Sequence, residues 1–326
     1  MERKTVRQQI RSALRWIAWV LLAQLVLINL SSAFYADKLT RFYSNLPEDY
    51  SNSSGNIFTK SWKLFTGPKY PRAEILERPV YSFDTVSLVT GSGLQVDAWL
   101  IRTDSQARGT VILFHGVGGT RMSNIDEANE FRFRGYRVMM LDFRGHGNSA
   151  GHTTTIGMRE AEEVKLAYEY IQRLGEKNIF LFGSSMGAVA VARAVSRYQL
   201  QPSGIILEMP FYSLQTYLKA RAGQIGFPTQ PFAFFTTFWI GVEKGFNGFS
   251  HRTTRYMKDV QCPVLLQWGT QDAYVNEEET EKIFEATAAP RKKLVVYNGA
   301  QHESLLRKDP VQWRMEMDVF LKDFTR

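Results

Sequence analysis

The residues of this chain best suited to chemistry lie in Asn178 to Gly187, NIFLFGSSMG, where Gly183, Ser185 and Gly187 fit the pattern G-x-S-x-G. Ile179, Phe180, Leu181 and Phe182 form a short continuous apolar run, the pattern of a central parallel strand covered on both faces. AVAVARAV follows the second glycine without a breaker, and Arg193 and Arg197 suit a helix C-terminus. The motif therefore reads as strand, turn, helix. A turn that tight needs residues without a Cβ on both sides of the serine, so that strand and helix approach closely and the hydroxyl projects at the carboxyl end of the sheet. A serine hydroxyl is a weak nucleophile until a base takes its proton, and the orphan N–H groups of the following helix can stabilise an oxyanion. The motif thus predicts a histidine and a charge elsewhere in the chain.

The elements that must position such a site begin near Val80. Tyr81 to Thr90 and Leu94 to Ile101 read as antiparallel strands joined by a turn at Gly91, Ser92 and Gly93. Thr110 to Phe114, Arg137 to Leu141, the Ile179 run, Gly204 to Glu208, Val264 to Trp268 and Leu294 to Tyr297 are further short apolar strands. Amphipathic helices separate them: in Ile156 to Leu174, Val164, Ala167, Tyr168, Ile171 and Leu174 share one face, opposite Glu162, Glu163, Lys165 and Glu169. This alternation predicts an α/β fold with a mostly parallel central sheet flanked by helices.

Five segments in this order carry a resemblance to the α/β-hydrolases: FHGVGG at Phe114 to Gly119, DFRGHGNS at Asp142 to Ser149, GSSMG at Gly183 to Gly187, WGTQDAYV at Trp268 to Val275 and GAQHESL at Gly299 to Leu305. The chain resembles that fold from about Tyr81 to its end, and is more loosely similar to the branch with one N-terminal membrane helix, which includes acylglycerol, lysophospholipid and acyl-thioester hydrolases. The resemblance implies Ser185 as nucleophile, Asp272 as acid and His302 as base, with an oxyanion hole from the backbone N–H groups of Val117 and Met186. Glu208, at the end of the sixth strand, is a rival acid. His115 is expected to brace its loop, as are Asp142 and Arg144. His146, His152 and His251 lack metal-ligand spacing, so no metal is expected, and no cofactor is required.

Composition bounds the rest. With 326 residues and 44% hydrophobic content the chain can bury a full core. The net charge of +8 comes without an RNP, helix-turn-helix or zinc-finger signature, so nucleic acid is not an expected partner. Arg3, Lys4, Arg7, Arg11 and Arg15 precede an uncharged run from Trp16 to Ala36. As a helix that run would extend about 31 Å, enough to cross a hydrocarbon core, with the basic end in the cytoplasm and the rest of the chain on the opposite side. A cleaved signal peptide is the alternative, with Ser31 and Ala33 as the small residues of the cleavage site, and would make the product secreted or periplasmic. Cys262, the single cysteine, reads as a small core residue.

The expected organisation is a basic segment and anchor over 1–36, a linker over 37–79 and a hydrolase domain over 80–326. An aromatic-rich cap insert follows the sixth strand, at about 211–260, where Phe232, Phe234, Phe238 and Trp239 could line an apolar acyl site, approach a bilayer or pack the cap. The function expected is a membrane-anchored serine hydrolase acting on a small-molecule carboxylic ester, lipid-like as in a lysophospholipid or acylglycerol. Acyl transfer, thioester or amide cleavage by the same groups, and a non-catalytic scaffold, are the alternatives.

Overall fold

A computed structural model describes residues 5–46, 56–103 and 106–322. Its sheet has eight strands: β1 (Phe83–Val89), β2 (Gln95–Ile101), β3 (Thr110–Phe114), β4 (Arg137–Leu141), β5 (Ile179–Ser184), β6 (Gly204–Glu208), β7 (Val264–Gly269) and β8 (Lys292–Tyr297). Their spatial order is β1-β2-β4-β3-β5-β6-β7-β8. β2 runs antiparallel to both β1 and β4, and the remaining pairs are parallel. β3, β5 and β6 lie inside this order with helices over both faces, which is why they are continuous apolar runs rather than alternating ones. Val111, Ile112, Phe114, Phe180, Leu181, Ile205 and Ile206 are buried at the centre of one core, and Cys262 is buried at its edge.

The insert after β6 forms a cap of helices Leu214–Gln224, Thr229–Lys244 and Thr253–Met257. Its aromatics divide: Phe232 is buried, whereas Phe234 and Phe238 are exposed.

The N-terminal run departs from the expected separate anchor. One helix spans Val6–Leu39, exposed over almost all of its length to Leu30 and then buried at Ser31, Ser32, Tyr35, Ala36 and Leu39 against the cap. Small side chains at 31, 32 and 36 let the N-terminal helix approach the cap, and polar groups tie it both to the helix Ile57–Thr66 and to the cap. Ser31 Oγ donates to the Phe65 carbonyl at 2.6 Å, Tyr35 Oη to the Leu64 carbonyl at 2.9 Å, and Trp239 Nε1 to Asn29 Oδ1 at 2.7 Å. Of the two small residues of the expected cleavage site, Ser31 is buried in these contacts and Ala33 is partly open.

The expected linker is also folded onto the domain, apart from 47–55, which lie outside the described residues. Phe42–Tyr43 pairs in parallel with Tyr70–Pro71, and the Phe42 N–H donates to the His152 carbonyl at 2.8 Å. The Arg72 guanidinium donates to the carbonyls of His146, Gly147, Ser149 and Gly151. An arginine can do this because its planar fork satisfies several acceptors at once, a role no local pattern in the sequence signals.

Candidate active site

Ser185 occupies the turn between β5 and the helix Met186–Tyr198, with φ 52° and ψ −115°. A non-glycine residue held there stores about 1–3 kcal/mol of backbone strain. The neighbours explain how the strain is sustained. A Cβ at Gly183 would stand 2.5 Å from the Gly187 carbonyl carbon, and one at Gly187 would stand 2.2 Å from the Phe114 carbonyl oxygen. Glycine at both positions is a steric requirement, and the Ser185 N–H is tied to the Glu208 carbonyl at 2.8 Å.

The loops after β7 and β8 bring the other two groups to this edge. A Cβ at Gly269 would meet the Ala300 carbonyl oxygen at 2.5 Å, so its absence lets the loops touch, and the Gln271 N–H donates to the same carbonyl at 2.8 Å. His302 Nε2 lies 2.9 Å from Ser185 Oγ, and His302 Nδ1 lies 2.7 Å from Asp272 Oδ2. Asp272 Oδ1 accepts from the N–H groups of Tyr274 at 2.7 Å and Val275 at 3.1 Å. The carboxylate is fully enclosed and the imidazole partly open, an arrangement that fixes the ring while leaving Nε2 accessible.

Glu208, the rival acid, lines the same cavity, but its carboxyl bonds a different partner from His302. Its Oε1 accepts from Trp313 Nε1 at 2.8 Å, and burial, then the nearby Glu127, push its carboxyl well above the usual range. Glu127 is raised for the same first reason, burial, while accepting the Ser304 hydroxyl at 2.5 Å.

Val117 lies in the loop after β3 and Met186 opens the helix after Ser185; both line or adjoin the serine, and neither N–H donates to an acceptor among the described residues. Two buried histidines hold that loop. His115 Nδ1 donates to the Gly116 carbonyl at 2.7 Å while Nε2 accepts the Phe143 N–H at 3.1 Å. His146 Nδ1 donates to the Arg144 carbonyl at 2.9 Å while Nε2 accepts the Gly118 N–H at 3.1 Å. Each ring thus uses one nitrogen as donor and one as acceptor, which is the neutral imidazole. Burial lowers both, His146 to about 3. Asp142 accepts from the Arg121 N–H at 2.6 Å and pairs with its guanidinium at 2.7 Å, and Arg144 pairs with Glu163. Among the described residues no group of three His, Cys, Asp or Glu side chains could hold a metal. His251 is structural, between Tyr256 Oη at 2.7 Å and the Ile156 carbonyl at 2.8 Å.

The cavity over Ser185, about 280 Å³, is also lined by Asn124, Glu127, Tyr217, Arg221, Tyr274 and Ser304. Sequence reasoning did not single these out. Tyr274 lies two residues from Asp272 inside a recognised segment, but Tyr217 and Arg221 belong to the cap and reach the site only through its fold.

Residues 105–242 and 238–309 match the family described as Serine aminopeptidase, S33. The chain belongs to this family. It is an α/β-hydrolase and a serine hydrolase of the esterase and lipase type. Among similar proteins, an uncharacterized protein YqkD of Bacillus subtilis is 24% identical over 216 residues, covering 65% of this chain and 70% of its own. A lysophosphatidylserine lipase ABHD12 of Danio rerio is 25% identical over 202 residues, 58% of this chain and 50% of its own. The Pyrococcus furiosus esterase Pf2001 superposes with a TM-score of 0.68 at 24% identity, over 78% of this chain and 97% of that one.

Proposed function

We propose that this hydrolase cleaves lipid-like acyl esters, of the lysophospholipid or acylglycerol kind, from a membrane-anchored position, with Ser185 as nucleophile, His302 as general base and Asp272 as the acid that orients it. The observation that carries the reading is the continuous hydrogen-bonded path from Ser185 Oγ through both nitrogens of His302 to Asp272. In the acylation step His302 Nε2 takes the Ser185 proton as Oγ attacks the ester carbonyl carbon. The carbonyl oxygen gains negative charge opposite the N–H groups of Val117 and Met186, and His302 returns the proton to the departing alcohol. Water, deprotonated by the same imidazole, then releases the acid from Ser185.

Support for a lipid-like substrate comes from a second cavity of about 260 Å³, lined by Leu27, Ile28, Leu64, Phe65, Phe227 and Phe232, where the N-terminal helix meets the cap. The name of the ABHD12 relative points the same way. Support for retention of the helix comes from its length of 34 residues, its exposed apolar surface and its docked C-terminal turns. The proposed topology is single-pass, with the basic end cytoplasmic.

A fluorophosphonate probe should label the full chain at Ser185 and leave Ser185→Ala unlabelled. Acyl esters of increasing chain length should be cleaved by the wild type alone. Equal labelling of both proteins would remove the nucleophile assignment.

A further inference from the structure

Among the described residues, Arg221 is the one lysine or arginine lining the cavity over Ser185. It sits half-buried on the cap helix Leu214–Gln224, and among the described residues it pairs with no carboxylate. Its neighbours are phenols. Nη1 donates to Tyr217 Oη at 3.3 Å, and the guanidinium stands 5.0 Å from the centre of the Tyr70 ring. Tyr217 packs on Tyr274 at 5.8 Å between ring centres, and Tyr274 packs edge-on to His302 at 5.0 Å. An aromatic path therefore joins the guanidinium to the catalytic imidazole.

A guanidinium partly removed from water without a counter-ion is costly unless something of opposite charge arrives. The carboxyls in the same cavity are engaged otherwise: Glu208 with Trp313, Glu127 with Ser304, and Glu303 with the Gln301 N–H at 3.1 Å. Tyr217 Oη accepts from Arg221, which leaves its own proton for a further acceptor. Arg221 also hydrogen-bonds Tyr70, and its remaining N–H donors lie in a planar fork suited to the paired oxygens of a carboxylate or phosphate.

We propose that Arg221 and the Tyr217 hydroxyl bind a negatively charged group, carboxylate or phosphate, on the ester substrate, so that the enzyme selects anionic acyl esters over neutral ones. This rests on the hydrolase reading above and adds the substrate class to it.

The test uses the full chain in detergent micelles. Inhibition of para-nitrophenyl butyrate hydrolysis is measured with octyl phosphate, octanoate and octanol. In the wild type at least one anion should inhibit roughly 10- to 100-fold more strongly than the alcohol, a charge-assisted hydrogen bond being of that size, and the stronger anion tells phosphate from carboxylate. Arg221→Met should erase that difference, and Arg221→Lys should keep part of it. In parallel, the kcat/KM ratio of lysophosphatidylserine or lysophosphatidate over monoacylglycerol with the same chain should fall roughly 10- to 100-fold in Arg221→Met. An unchanged ratio overturns the proposal. Should Arg221→Met fail to fold, equal inhibition of the wild type by both anions and the alcohol overturns it as well. Butyrate ester turnover that survives in Ser185→Ala would instead refute the hydrolase reading, whereas Ser185-dependent turnover without anion preference removes the subsite alone.

Discussion

His146 ties the loop that carries Val117, the proposed oxyanion donor, to the rest of the fold, and His146→Phe isolates that tie. The substitution keeps a ring in contact with Phe42, whose centre is 4.4 Å away, and deletes the hydrogen bonds to the Gly118 N–H and the Arg144 carbonyl. Gly118 is exposed, so its N–H can turn to water at a loss of about 1 kcal/mol. Arg144 is 5% exposed, so its carbonyl loses a partner in a dry setting, at about 1–3 kcal/mol. Stability should therefore drop by about 2–4 kcal/mol. Turnover should suffer separately, because Val117 lies between Gly116 and Gly118 and a displaced oxyanion donor lowers kcat by about 100- to 1000-fold. The assay is kcat and KM for para-nitrophenyl butyrate at a temperature where both proteins are folded, together with thermal melts. The expected pattern is a fall in kcat with KM within about threefold, since the donor acts in the transition state. A lowered melting temperature with kcat within about threefold of wild type would refute the reasoning.

Three further outcomes follow from the same geometry. Asp272→Asn should lower kcat by roughly 1000- to 10,000-fold by losing the orienting acceptor for His302 Nδ1, while Glu208→Gln, bonded to Trp313 rather than His302, should cost far less; the reverse order in a kinetic comparison would exchange their roles. His251 is held down to about 4 by burial, below an unfolded value near 6.5, so the folded state loses about 1.4 kcal/mol per pH unit as pH falls between those values. The stability gap between wild type and His251→Gln should thus narrow by about 2 kcal/mol from pH 6.5 to 5, and parallel melting curves over that range would contradict it. If the N-terminal helix is retained, carbonate extraction should leave the protein in the membrane fraction with its basic N-terminus intact; a soluble product starting near Phe34 would argue for cleavage instead.

Some of this protein is written in neighbouring residues. Continuous apolar runs specify β3, β5 and β6 because a buried strand has no wet face, and Gly183 and Gly187 specify the serine turn because both steric conflicts arise from chain immediately beside it or packed directly beneath it. Those are strongly patterned constraints, so the fold and the meeting of Ser185 with His302 were legible in the sequence. The resemblance favoured Asp272 and left Glu208 as a rival, since one follows and the other ends a strand at the same edge. The choice is decided by Trp313, which engages Glu208 from 105 positions away, and by the loop contact at Gly269 and Ala300 that delivers His302 to Asp272. Ser31, with Ala33, reads as a cleavage site in isolation, and the tertiary structure buries Ser31 while leaving Ala33 partly open. Arg72 under the loop after β4 and Arg221 beside the serine carry no local signature at all. A polar side chain has many acceptable partners, and only the packing of distant segments selects one.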